Sequence, residues 1–102
     1  MPQGPIAVAG ANLIPQGAKV QYNISAAVTL KAAPGTLLAI AVITPGDAPG
    51  TVNDCATTGA AATANAMCGI PETVNVYPIN LPFKTGLTIT PGAGQVIAVY
   101  WI

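Results

Sequence analysis

The chain has 102 residues and only six charges: Lys19, Lys31 and Lys84 against Asp47, Asp54 and Glu72. It has no histidine, and its net charge is zero. That length makes a single domain with a true core. Three lysines fall short of the basic footprint that nucleic acid demands, and no run of about 20 apolar residues is present to span a membrane as a helix. Charged residues make up 6% of the chain, against about 25% in an average soluble domain. A surface so poor in charge does little to prevent self-association, so composition points to a part of an assembly, covered by copies of itself or by a partner, rather than a free catalyst.

Ten prolines and eleven glycines are spread along the chain, which disfavours long helices and favours short strands joined by turns. The expected class is all-β: a single sandwich of jelly-roll or immunoglobulin-like type over residues 19–102, preceded by an N-terminal arm over residues 1–18. The opening residues Met1 to Pro5 lack a charged, then apolar, leader, which predicts synthesis in a cytoplasm. Gly4 to Ile14 reads as an arm or short edge strand closed by Pro15-Gln16-Gly17. From Lys19 to Lys31 a period of two places Val20, Tyr22, Ile24, Ala26, Val28 and Leu30 on one face, predicting one half-buried strand of thirteen residues. Ala33-Pro34-Gly35 turns the chain into Thr36 to Thr44, apolar on both faces and therefore a central strand.

After the loop Pro45 to Gly50, Thr51 to Cys55 is expected to be a short strand. The alanine-rich stretch Thr57 to Met67 is expected to turn at Thr57-Thr58-Gly59 and continue as a strand of small residues ending near Cys68. Glu72 to Tyr77 is expected to point Val74 and Val76 inward, with an irregular segment between Pro78 and Pro82 capping the core. Gly86 to Thr90 and Gln95 to Ile102 complete seven or eight strands. The last of these is apolar on both faces. Val96, Ala98, Tyr100 and Ile102 alternate with Ile97, Val99 and Trp101, and a single sandwich core covers only one of the two rows, so the other needs a neighbour, either the N-terminal arm or a second subunit.

Little in the chain supports catalysis. Serine-based acyl transfer needs a base, and the one serine, Ser25, has no histidine to serve it. Two cysteines and three scattered carboxylates do not make a zinc site, so neither metal nor cofactor is expected. Asp54 and Glu72 are the one pair that a glycosidase-like mechanism would draw on, although solvated strand-end carboxylates are the ordinary role for such residues. Cys55 and Cys68 suit a hairpin whose arms face each other. Either they form a disulfide, with a stabilisation of about 3 kcal/mol, or they are two buried thiols acting as small hydrophobes. Tyr77 with Asn75 and Asn80 is the one loose grouping of the kind that glycan sites use.

The order of short motifs carries a resemblance. Ala33-Pro34-Gly35-Thr36-Leu37-Leu38 leads into an apolar strand, then come Gly50-Thr51-Val52-Asn53-Asp54, Pro82-Phe83-Lys84-Thr85-Gly86-Leu87 and Pro91-Gly92-Ala93-Gly94-Gln95. Over residues 31–102 this is similar to small virion structural proteins of tailed bacteriophages, among them capsid decoration (cement) proteins and head- or tail-fibre modules. The resemblance implies a non-catalytic protein on the outside of the capsid. It would be a homo-oligomer, with a trimer favoured, that bridges subunits of the major capsid protein. It also implies that the arm and the last strand supply contacts. Ile6, Val8, Val99, Tyr100 and Trp101 are the interface candidates, since large apolar anchors carry most interface energy. The alternative is a fibre module that binds a host-surface receptor or glycan.

Overall fold

The structure is a computed structural model that describes residues 17–102. The expected arm, with Ile6 and Val8, lies outside the described residues except for Gly17 and Ala18. Eight strands follow: β1 (Lys19–Ile24), β2 (Val28–Lys31), β3 (Gly35–Thr44), β4 (Gly50–Asn53), β5 (Ala66–Ile70), β6 (Asn75–Phe83), β7 (Leu87–Thr90) and β8 (Val96–Trp101). They form two four-stranded sheets, in the orders β1-β8-β3-β6 and β2-β7-β4-β5. Every pairing is antiparallel. The all-β sandwich expected from the sequence is the fold found.

The connectivity has a simple logic. β1 pairs with β8, β2 with β7, β3 with β6 and β4 with β5, as if one long hairpin with its tip between β4 and β5 had been rolled up. Every other connection crosses from one sheet to the other. The two sheets share one core, built from Ile24, Leu37, Ile40, Val42, Val52, Ile70, Phe83, Leu87, Ile89, Ile97, Val99 and Trp101. Burying a side chain of this size contributes about 1.5–3 kcal/mol. β3 and β8 occupy the middle of the first sheet, as their two-faced apolar sequences require.

Several elements differ from the sequence expectation. Lys19 to Lys31 is two strands in different sheets, separated at Ser25-Ala26-Ala27. Asn23 adopts a left-handed conformation, φ 57°, which a short polar side chain tolerates. The pairing with β8 shifts there, from Gln21 opposite Val99 to Ile24 opposite Ile97. That bulge turns Ile24 into the core while leaving Val20 and Tyr22 on the outside, so the apparent single apolar face is split between core and surface. The segment 57–67 contains two 3-10 turns, Thr58–Ala60 and Thr63–Asn65, and only then β5. Asparagines fix it. Asn53 Nδ2 donates to the Ala62 carbonyl at 2.9 Å and to Asn65 Oδ1 at 2.8 Å, and Asn65 Nδ2 donates to the Ala60 carbonyl at 2.9 Å.

Pro78 and Pro82 do not bracket an irregular segment but sit within β6, opposite Ala39 and Thr36. β6 is an edge strand, where a missing N–H leaves no ladder bond unmade. A second left-handed asparagine, Asn80 at φ 58°, accompanies the register shift in β6. Val76 lies opposite Ala41 and faces outward, and Val74 is also exposed, the reverse of the expected orientation.

Both ends of the sandwich are closed by polar ties. At one end the buried Gln95 side chain accepts from the Gly92 N–H at 3.0 Å and donates to the Pro71 carbonyl at 2.7 Å. At the same end Asp47 N–H donates to the Ala93 carbonyl. A Cβ on Gly92 would collide with the Ala48 carbonyl. Gly92→Ala is therefore expected to destabilise the fold by about 1–3 kcal/mol, the usual cost of forcing atoms into a packed site. The check is urea unfolding, with Gly94→Ala as a contrast, where a Cβ meets nothing within 4 Å but φ is +76°. The expected outcome is a lowered midpoint for Gly92→Ala caused by collision, against a smaller loss from backbone strain alone at Gly94.

Candidate functional site

The two outer faces of the sandwich differ in chemistry. Residues directly opposite in an antiparallel pair project to the same side, so the register fixes which side chains share a face. On the β2-β7-β4-β5 sheet the outer row is polar: Thr51 opposite Thr90, Asn53 opposite Thr88, and Thr88 opposite Thr29. The Thr29 and Thr88 hydroxyls are 2.9 Å apart, and Thr88 Oγ1 donates to the Cys55 carbonyl at 2.9 Å. The asparagine-tied loop lies over part of this sheet, and a shallow open depression remains between Thr51, Asn53, Ala62, Thr63 and Thr90.

The outer face of the β1-β8-β3-β6 sheet is dry. Across it Val20 lies opposite Tyr100, Tyr100 opposite Ala39, and Ala39 opposite Pro78. In the next row Ala98 lies opposite Ala41, and Ala41 opposite Val76. Tyr22 continues the β1 side and Ile43 the β3 end. Tyr22 is 65% exposed, Val76 62% and Ile43 58%. Leu38 is buried without joining the core cluster; it is the extra residue at the β3 bulge opposite β8. Ala39, Ala41 and Ala98 form a low floor, with Val20, Tyr22 and Tyr100 raised on one flank and Val76 and Pro78 on the other.

None of the six charges lies on this face. Lys19 pairs with the inward-facing Trp101, at the core side of an edge strand. Lys31 is in the other sheet, and Asp47, Asp54, Glu72 and Lys84 are in connections between strands. A contiguous apolar sheet face is the signature of a contact surface.

The interface candidates from the sequence fall in different places. Tyr100 belongs to the dry face. Val99 and Trp101 are in the core, 0% and 6% exposed, and present almost no surface. The outward residues that sequence reasoning missed are Val20, Tyr22 and Val76. Their period-two pattern had suggested core, and only the bulge at Asn23 and the pairing of β6 reveal where they point.

The chemical candidates are not assembled into a site. Asp54 follows β4 at its Asn53–Ala66 end, whereas Glu72 follows β5 beyond the Gly50–Ile70 end; the hairpin separates them. Both Asp54 oxygens are engaged: Oδ2 accepts from Lys84 N–H at 2.9 Å, and Oδ1 from Thr85 and Gly86 N–H at 2.7 and 3.1 Å. This carboxylate closes the turn between β6 and β7. Tyr77, paired with the core residue Ile40, packs against the core. Its hydroxyl donates to the Thr73 carbonyl at 2.9 Å, and its ring is only partly exposed. Cys55 and Cys68 are both free. Cys68 lies opposite Val52, three positions short of Cys55, so the hairpin register does not bring the two together as a disulfide requires. Cys55 Sγ donates instead to the Thr57 carbonyl, and burial pushes the Cys68 thiol up. Among the described residues no cluster of three metal-ligating side chains is found.

Comparison with protein-family models, with curated proteins and with solved structures found no match to this chain.

Two solution measurements follow from this geometry. Desolvation raises the Asp54 pKa, but the three backbone donors and the Lys84 charge outweigh it and hold the carboxyl below its usual range. A folded pKa below the unfolded one gives stability that is present above the unfolded value, about 3.9, and is lost as pH falls through the folded value. Asp54→Asn is expected to lower stability at pH 7 by roughly 1 kcal/mol and to flatten the loss between neutral and acid pH, as read by denaturant titration at each pH. Alkylation after unfolding without reductant is expected to add two labels per chain to reductant-free protein, one for each thiol, as read by intact mass.

Proposed function

We propose that this protein is a non-catalytic structural component of a larger assembly, and specifically a capsid decoration protein of a tailed bacteriophage. In this reading it docks on the exterior of the head and bridges subunits of the major capsid protein. The observation that carries it is the charge-free apolar outer face of the β1-β8-β3-β6 sheet, set against a polar face on the other side. One sheet thus presents hydrocarbon outward, while the outer row of the other is polar and partly covered by its own loop. The absence of histidine from the chain and the engagement of both Asp54 oxygens leave the described residues without an acid–base pair poised for catalysis, which accords with a role in contact rather than chemistry.

The pairing of β1 with β8, β2 with β7, β3 with β6 and β4 with β5 supports assignment of the sandwich as a jelly roll of two Greek keys rather than an immunoglobulin-like fold. Jelly rolls serve in viral coats, and equally in lectins and cupins, so the fold by itself does not choose the role. The virion assignment rests on the resemblance of residues 31–102. Copies arrayed on a shell add weak contacts through multivalency, which suits a face of modest area.

Co-sedimentation separates this role from that of a fibre module. Purified protein is expected to pellet with heads that lack their decoration and to leave host cells unlabelled. Binding to cells with no binding to heads would overturn the decoration reading in favour of the receptor-binding one.

A further inference from the structure

We propose that the depression on the outer face of the β2-β7-β4-β5 sheet is a binding site for a neutral saccharide. It lies on the side of the sandwich away from the dry face, so the inference goes beyond the assembly reading and does not depend on it.

Hydrogen-bonding groups that the fold leaves unused gather there. Asn53 Nδ2 is engaged by the loop, with the Ala62 carbonyl and with Asn65 Oδ1. Asn53 Oδ1 accepts no hydrogen bond among the described residues, although Asn53 is only 3% exposed. A buried acceptor without a donor costs about 1–3 kcal/mol, and such groups find a water or a ligand. The hydroxyls of this sheet divide in the same way. Those of Thr29 and Thr88 bond to each other and to the Cys55 carbonyl. Those of Thr51, Thr63 and Thr90 line the depression beside Asn53 and bond to no described residue. Thr51 and Thr90 are opposite partners on β4 and β7, which sets their hydroxyls side by side.

The lining selects the chemistry of the ligand. No charged side chain lines the depression, so a phosphate or carboxylate finds no counter-charge there. No aromatic ring lines it either, which leaves a nucleobase nothing to stack on. An extended peptide docks on the edge of a sheet through free backbone groups, whereas here β4 and β7 are paired on both sides. Threonine hydroxyls rotate to donate or accept, and Asn53 Oδ1 accepts. Such a set matches a ligand that carries several neutral hydroxyls on a hydrocarbon frame, with the methyls of Ala62 and Ala66 against its C–H groups. The volume of about 410 Å³ is within the usual range for small-molecule sites, about 300–1,000 Å³.

The wall is held in place before any ligand arrives. Asn65 Oδ1 accepts from the Ala62 N–H at 3.0 Å and Asn65 Nδ2 donates to the Ala60 carbonyl, so both 3-10 turns are tied to Asn53. A fixed wall lowers the ordering cost of binding. The depression is shallow and open, and the expected dissociation constant is in the millimolar range. One site of that strength does not hold an isolated chain to a cell; copies arrayed on a shell would add such sites by multivalency.

The test is a titration of the full chain, read by backbone and side-chain amide shifts. The probes are the methyl glycosides of glucose, galactose, mannose and N-acetylglucosamine, with glucuronate as the charged contrast. The expected result is a saturable shift at Thr51, Thr63, Thr90 and the Asn53 side chain with at least one neutral glycoside, and weaker binding of glucuronate. Thr51→Val and Thr90→Val keep the side-chain shape and remove a hydroxyl, so each should weaken binding by about threefold to tenfold. Tyr22→Lys, on the dry face, should leave it unchanged. Thr63 is exposed on a turn, so Thr63→Ala keeps the test valid if the strand substitutions disturb the sheet, and circular dichroism verifies each variant. No saturable shift with any neutral glycoside, which means a depression that holds water only, would overturn the proposal. Shifts centred elsewhere, or binding indifferent to all the threonine substitutions, would do the same. Head binding is read separately: saccharide binding without it supports this site while sinking the capsid role, and head binding without a saccharide shift does the reverse.

Discussion

The structure depends on one constraint: β3 and β8, adjacent in the middle of a four-stranded sheet, are apolar on both faces. Their inner rows, Leu37, Ile40 and Val42 with Ile97, Val99 and Trp101, meet the second sheet and form half of the core. The middle of their outer rows consists of small residues, Ala39, Ala41 and Ala98, which are nearly covered by their own neighbours, with Tyr100 and Ile43 beyond them. This limits the cost of an outer face left without polar groups. It also leaves that face low in the middle and raised at the flanks, a shape that a flat polar sheet would not have.

The ends of the sandwich complement this dry centre. Gln95 ties the turn before β8 to the connection after β5, and Asp54 ties the end of β4 to the turn between β6 and β7. Each tie satisfies backbone groups that a short loop would otherwise leave unpaired. With so few charged side chains available, neutral amides and the one carboxylate Asp54 hold the loops. Asn53 and Asn65 do the same for the two 3-10 turns. Asp54, Gln95, Asn53 and Asn65 are thus engaged in closing the fold.

Edges and faces then divide their roles. The outer edges of the dry sheet are β1 and β6, each interrupted by an asparagine in the left-handed region and, in β6, by two prolines. Such edges do not template further strands.

By itself the sequence determined the class, the number of strands to within one, and the central place of Thr36 to Thr44, because turn residues and two-faced apolar runs are local signals. It also showed that one row of the last strand lies outside the core. It did not show which strands share a sheet, since pairing β1 with β8 and β2 with β7 joins residues some 60 to 80 positions apart and no local pattern encodes that. The bulge at Asn23 shows why the face stayed hidden. One residue in a left-handed conformation reverses the alternation, sending Ile24 inward and leaving Val20 and Tyr22 outside, although all three fall on the same period. Val76 was misjudged for the same reason, as its side is set by Ala41 across the ladder. The sequence supplied hydrocarbon in alternation; only tertiary pairing decided which of it became core and which became surface.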